Sequence, residues 1–116
     1  MPDPGFWRKT VAQLQNEFYE LHANVCGIFS RPRRLEILDT LRDKELTVSE
    51  IHDSMSISKT NLSQHLTLMK DRGILNSRRE GQHIYYSVSS KKVIQAFDLI
   101  SDVLHELMDR RFSRLK

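Results

Sequence analysis

Apolar residues near the amino end of the chain recur at alternating intervals of four and three. They are Trp7, Val11, Leu14, Phe18, Leu21, Val25 and Ile28. This is the a/d spacing of a helix with one apolar face, held over about three heptads. A helix of that length cannot bury its whole apolar face against so small a chain. The pattern therefore predicts pairing with another long helix or with a second subunit.

The same spacing returns at the carboxyl end, where Ser89-Ser90 precedes a helix predicted to reach about Phe112. Its apolar positions are Val93, Phe97, Ile100, Leu104 and Leu107. We expect the two terminal helices, over residues 6–29 and 91–112, to be dimerisation helices.

A shorter helix is predicted from about Pro32 to Arg42, with Ser30 as its N-cap. Proline suits the first turn of a helix, where its missing N–H leaves no hydrogen bond unmade. The inner face is predicted to carry Leu35, Leu38 and Leu41.

A helix-turn-helix is predicted over residues 47–72. Its first helix opens on a capping box from Thr47 to Glu50. Its second begins after Ser58 and ends at Gly73, a residue that favours the conformation that terminates helices. The buried face of this second helix is predicted to be Leu62, Leu66 and Met69.

Two strands, over residues 74–79 and 82–88, are predicted to form a hairpin, or wing, within residues 74–88. Glu80-Gly81-Gln82 supplies the turn. Ile84, Tyr86 and Val88 alternate onto one face of the second strand. The predicted fold is therefore mostly α with a small β-hairpin. It is a winged helix-turn-helix with long terminal helices, forming a single domain over residues 1–116.

Positive charge is concentrated between Ser56 and Lys92, which contain seven Lys or Arg residues and two acidic ones. The rest of the chain has 11 basic and 13 acidic residues. A local excess of this kind favours a polyanionic partner. The chain has a single cysteine, no apolar run long enough for a membrane helix and no signal-peptide pattern, so we expect a cytoplasmic protein.

Polar residues on the second helix of the helix-turn-helix and on the wing are the candidate contacts to double-stranded DNA. A recognition helix enters the major groove, where an amide such as that of Gln64 can pair with adenine. Arginines near a wing tip suit the minor groove or its flanking phosphates. The candidates on the helix are Ser58, Lys59, Thr60, Ser63, Gln64, His65, Thr67 and Lys70. Those on the wing are Arg78, Arg79, Gln82, His83 and Tyr85.

Five stretches together carry the pattern of a known family. They are RPRRLEIL at 31–38, SQHL at 63–66, KDRGIL at 70–75, RREGQ at 78–82 and YYSV at 85–88. Through them, residues 22–108 resemble the ArsR/SmtB family of bacterial and archaeal repressors. The resemblance implies a homodimer joined by its first and last helices, and an operator with two-fold symmetry. It also implies a repressor that leaves DNA when an inducer binds.

The metal sites best known in that family are not expected here. Thr47 and Ser49 stand where the resemblance would place two thiolates, and hydroxyls are poor ligands for soft metals. The second family site needs Asp-x-His and then His-x-x-Glu or His-x-x-His. Asp98 is followed by Ile100, and His105 by Met108, so neither half is present.

A different inducer site is left as a hypothesis. His22 and Cys26 lie one helical turn apart. His105, Glu106 and Asp109 cluster on the last helix. Across a dimer interface these groups are candidates to bind a transition-metal ion, and Cys26 alone is a candidate redox-active thiol. The alternative is that Cys26 is a small buried hydrophobe.

Two other functions compete with transcriptional regulation by DNA binding. A winged-helix module can serve protein contacts without DNA, although its surface then need not be basic. An enzyme is not expected, because the sequence has no Gly-rich phosphate loop, nucleophile–base pattern or suggestive pair of carboxylates.

Overall fold

The structure is a computed structural model that describes residues 10–114 of the chain. This part contains five α-helices and three short strands. The helices are α1 (Val11–Cys26), α2 (Pro32–Leu41), α3 (Val48–Asp53), α4 (Lys59–Asp71) and α5 (Lys91–Arg114). The strands are β1 (Leu46–Thr47), β2 (Leu75–Glu80) and β3 (His83–Val88). The predicted winged helix-turn-helix is confirmed. Trp7, the first position of the amino-terminal pattern, lies outside the described residues.

The hydrophobic core lies between α2, α3, α4 and the start of β2. Its fully buried side chains are Ile28, Ile37, Leu38, Leu41, Ile51, Leu62, Leu66, Met69 and Leu75. The prediction for α4 is confirmed, because Leu62, Leu66 and Met69 face this core. The prediction for α2 is wrong at Leu35, which is half-buried. Ile37 is buried instead, because the inner face of α2 is rotated to include Arg34.

The junction between α1 and α2 differs from the prediction of one helix running through Ile28. The α-helix ends at Cys26 and continues as a 3-10 turn over Gly27–Ser30, which places Ile28 in the core. Ser30 does not cap α2, because its hydroxyl donates to the carbonyl oxygen of Gly27 at 2.6 Å. Arg31 occupies the N-cap position and Pro32 the first turn.

Both ends of α4 are fixed by local hydrogen bonds. At the start, the Ser58 hydroxyl accepts from the backbone N–H of Asn61 at 3.1 Å. At the end, Gly73 adopts a φ of 78°, and the N–H of Ile74 donates to the carbonyl oxygen of Met69 at 2.9 Å. This is a Schellman ending, with Ile74 and Met69 both buried. The helix therefore has a defined length and start point.

The wing is a sheet of three strands, in the order β1-β3-β2. Strands β2 and β3 pair antiparallel across a two-residue loop that begins at Gly81, whose φ is 62°. The pairing of β1 with β3, with Leu46 opposite Tyr86, was not predicted. Two residues are too few to show an alternating pattern, and Thr47 carries the capping box of α3.

Helix α5 is attached to the body of the domain at its amino-terminal half. The guanidinium of Arg42, just after α2, donates to the Asp98 carboxylate at 2.9 and 3.2 Å and lies 5.7 Å from the centre of the Phe97 ring. These hydrogen bonds hold the pKa of Asp98 below its usual range. Beyond this anchor, α5 continues without support from the core.

Apolar side chains remain exposed along α1 and along α5. On α1 they include Val11, Leu14, Phe18 and Leu21; on α5 they include Ile100, Val103, Leu104, Leu107 and Met108. The Cα radius of gyration is 18.5 Å, whereas a compact domain of this length has about 13 Å. The two helices therefore project from the body. No helix within residues 10–114 is both long and apolar enough to cross a membrane.

Candidate nucleic-acid interface

One face of α4 is polar and open to solvent. Its side chains line a surface depression together with Leu68 and Asp71; they are Lys59, Thr60, Ser63, Gln64 and Thr67. They lie opposite the buried Leu62, Leu66 and Met69, as the spacing predicted. The structure thus brings five of the predicted DNA-contacting residues together on one surface, which we call the α4 polar face.

The amino end of α4 favours an anion. Its first turn contains no acidic side chain and begins with Lys59. Ser58 satisfies one backbone N–H, and the remaining N–H groups of the first turn carry the positive end of the helix dipole. A phosphate placed there would receive charge-assisted hydrogen bonds.

His65 and Lys70 lie apart from the α4 polar face. His65 is half-buried, and its pKa is lowered by burial and by the charges of Arg34, Arg31 and Arg33. The imidazole is therefore on the side of α4 that faces the start of α2. Lys70 is exposed in the last turn of the helix.

Arg78, a predicted phosphate contact on the wing, is already paired. Its guanidinium contacts Glu45 at 2.6 Å and Glu80 at 2.7 Å, and it lies 4.5 Å from the centre of the Tyr85 ring. These hydrogen bonds lower the pKa of Glu80. The charge of Arg78 is balanced in the free protein, and its side chain links the wing to the loop before β1.

Arg79 is the cation of the wing that remains available. It lies opposite Ile84 in the sheet register, so its side chain is on the other face from Arg78. It is exposed, and no ion pair is formed with it by the described residues. Gln82 and His83 are exposed next to it at the tip, where the His83 ring packs edge-on against Tyr85 at 6.5 Å.

The candidate inducer residues are only partly brought together. The Sγ atom of Cys26 lies 3.5 Å from Nδ1 of His22, and Cys26 is exposed, so the alternative that it is a buried hydrophobe is wrong for the single chain. His105, Glu106 and Asp109 are exposed on α5. Within residues 10–114 of one chain, no three His, Cys, Asp or Glu side chains are grouped to hold a metal ion. The site across a dimer stays a prediction.

Two features of this surface were missed by sequence reasoning. Glu45 was treated as a loop residue, and nothing local to it indicates the ion pair with Arg78. The arginines at the start of α2 were counted outside the basic segment, although the structure places them beside His65. The run Arg31-Pro32-Arg33-Arg34 was the available signal for them.

Comparison with known proteins identifies the family. The model of "Bacterial regulatory protein, arsR family" matches residues 31–77, from the start of α2 into β2. The nodulation protein NolR of Rhizobium meliloti is 34% identical over 89 residues, which cover 77% of this chain and 73% of that protein. The chain belongs to the ArsR family of bacterial regulatory proteins. It is a winged helix-turn-helix transcriptional regulator.

This ArsR-family chain is also similar to a transcriptional activator and to a DNA-binding domain of known structure. The transcriptional activator HlyU of Vibrio cholerae is 40% identical over 68 residues, covering 59% of this chain and 63% of that protein. A homodimeric winged helix-turn-helix DNA-binding domain from Mycobacterium bovis matches with a TM-score of 0.73 and 30% identity, covering 79% of this chain and 85% of that one.

Proposed function

We propose that this ArsR-family protein is a homodimeric repressor that binds a two-fold symmetric DNA operator through α4 and the wing. The observation that carries the proposal is the α4 polar face, which presents five exposed polar side chains on a helix packed against the core and fixed at both ends by local hydrogen bonds. The proposal includes release from DNA by an inducer, as the family resemblance implies.

The dimensions of α4 suit the major groove. Its 13 residues span about 20 Å at 1.5 Å per residue. The major groove is about 12 Å wide and admits one helix. With the amino end of α4 near a phosphate, Thr60, Ser63 and Gln64 are in the half of the helix that meets base edges.

The exposed apolar residues of α1 and α5 support a homodimer. A water-soluble domain does not expose so many large apolar side chains on two projecting helices unless a partner covers them. A second copy of the chain supplies matching heptad-spaced faces, and the M. bovis relative is described as homodimeric. Two copies would place two α4 helices about 34–36 Å apart, one turn of DNA.

Replacing Gln64 by alanine tests the base-reading role. We expect operator binding to weaken by about 1–3 kcal/mol, while binding to random DNA stays nearly unchanged. The operator would be selected from a pool of random duplexes, and both affinities would be measured by fluorescence anisotropy at one salt concentration. Gln95→Ala, an exposed glutamine on α5, is the matched control and should change neither.

The pattern of losses decides the role of Gln64. An equal loss on operator and random DNA would remove Gln64 from base reading. DNA binding that is absent, or independent of salt, in the wild-type protein would instead favour a winged-helix module for protein contacts. In a reporter strain, lower expression on binding supports repression and higher expression would indicate activation.

The two wing arginines are expected to behave differently. The slope of log affinity against log salt reflects the phosphates neutralised, at about 0.9 for each on duplex DNA. Arg79→Ala should therefore flatten the slope by about 2 for a dimer, one contact per subunit. Arg78→Ala should leave the slope unchanged, because Arg78 is held by Glu45 and Glu80.

Two results of the salt series would contradict these expectations. Equal flattening by Arg78→Ala would mean that the ion pairs with Glu45 and Glu80 open and that Arg78 transfers to phosphate. An unchanged slope for Arg79→Ala would show that the wing does not contact the backbone. Both variants lose one charge from adjacent positions of β2, so each serves as the control for the other.

A further inference from the structure

Four arginines are gathered where α2 begins and α4 ends. They are Arg31, Arg33, Arg34 and Arg72, which we call the arginine cluster. The Arg34 side chain is buried and donates to the carbonyl oxygens of Ile28 at 3.2 Å and Gly27 at 3.3 Å. Arg72 donates to the carbonyl oxygen of Asn24 at 2.7 Å. Carbonyl oxygens at the end of α1 and in the 3-10 turn fix these two guanidiniums in place, and no carboxylate is among these acceptors.

Few carboxylates form ion pairs with the cluster. Within the cluster, only Arg33 forms an ion pair with another described residue. Its partner is the Glu36 carboxylate at 3.2 Å, and both side chains are more than 40% exposed. Exposed pairs of this kind are weak and screened by salt. Arg42 and Arg78 are as exposed as Arg33, at 41% and 49%, but each contacts two carboxylates instead of one.

The like charges act on each other in the free protein. The pKa of Arg34 is lowered by burial and by the charges of Arg31 and Arg72. Guanidinium groups nevertheless stay protonated at any physiological pH. The cluster is therefore a permanent concentration of positive charge whose repulsion an anionic partner would relieve.

The arginines at the start of α2 face the flank of α4 that carries His65, which is separate from the α4 polar face. His65 directly follows Gln64 in α4, and the charges of Arg34, Arg31 and Arg33 lower its pKa. The arginines at the start of α2 thus lie along the flank of the helix proposed to enter the groove. A DNA strand beside that groove presents phosphates at regular intervals, and arginine forks match phosphate oxygens.

We propose that the arginine cluster is an additional phosphate-binding surface, which holds the DNA backbone beside the groove that α4 enters. Arg31 and Arg33 make the contacts, since their side chains reach solvent. Arg34 and Arg72 are positioning residues that raise the local potential. This inference rests on the proposed DNA-binding function and adds a contact region outside the helix-turn-helix and the wing.

The test removes the two contacting charges together. In the full-length protein, Arg31→Gln with Arg33→Gln should flatten the salt slope by about 3–4 for a dimer, because two phosphate contacts are lost in each subunit. Operator and random DNA should lose affinity equally, so that the ratio of the two affinities stays constant. Arg31→Lys with Arg33→Lys keeps the charges and should retain most of the slope.

The matched control removes two exposed cations elsewhere. Lys44→Gln with Lys91→Gln makes the same change in net charge at the other end of α2, about 15 Å away for a ten-residue helix. Its slope should stay within about 1 of the wild-type value. Circular dichroism and the thermal midpoint of each variant establish that the fold is kept.

Three outcomes separate this inference from the function on which it rests. A larger slope change for the arginine variant than for the lysine control supports the cluster as a phosphate surface. Equal slope changes for the two variants, with salt-dependent binding by the wild type, overturn the proposal that the cluster binds phosphate. The proposed DNA contacts of α4 and the wing would then still stand. Wild-type protein that does not bind DNA overturns both proposals.

Discussion

Replacing Leu104 by glutamate is expected to convert the protein to a monomer and to remove tight operator binding. Leu104 is 53% exposed in the single chain, so the core does not depend on it. In a dimer joined along α5, each new carboxylate would be buried against apolar side chains, and an unpaired buried charge costs several kcal/mol (about 3–5 in measured cases). Linking two half-site contacts raises overall affinity by roughly 10²- to 10⁴-fold, and a monomer forfeits that gain.

Light scattering and anisotropy measure the two effects on the same sample. The molar mass should fall to that of one chain, and operator affinity should fall at least about 100-fold. Gln95→Glu adds the same charge to an exposed position of α5 that lies off its apolar face, and it should stay dimeric. A Leu104→Glu protein that remains dimeric would place the interface away from this part of α5.

Features that arise from short sequence distances were predictable. The buried positions of α4, its cap at Ser58 and its end at Gly73 all follow from intervals of seven residues or fewer and from the conformational preferences of serine and glycine. Because the buried face was known, the polar face opposite it was known as well. The exposed polar face of α4 was therefore located from the sequence, whereas the contacts of its residues with DNA stay a prediction.

Features that depend on distant parts of the chain were not predictable. Arg78 and Glu45 are 33 positions apart, and only the pairing of β1 with β3 brings their loops together. A count of charge along a segment treated Arg78 as available and left out the arginines of α2. Pairing and clustering in three dimensions therefore changed which cations we expect to contact phosphate: Arg78 is removed, Arg79 is kept, and Arg31 and Arg33 are added.

The position of α4 depends on its packing against the core. Replacing Leu66 by alanine tests this packing without removing a side chain that is expected to contact DNA. Leu66 is fully buried beneath the middle of the helix. Its truncation leaves a cavity and should lower the free energy of unfolding by about 2–5 kcal/mol, a large part of the roughly 5–15 kcal/mol of a typical domain. Urea unfolding at one protein concentration measures the change, since a dimer's stability depends on concentration.

The neighbouring Thr67→Ala is the control, because Thr67 is exposed on the α4 polar face. It should change the free energy of unfolding by less than about 0.5 kcal/mol, as is usual for surface positions, while weakening operator binding. Leu66→Ala should weaken operator binding as well, through the looser seating of α4 on the core. A cost below about 1 kcal/mol for Leu66→Ala would contradict the packing described for this helix. It would then be necessary to attribute the placement of the polar face to the caps at Ser58 and Gly73 alone.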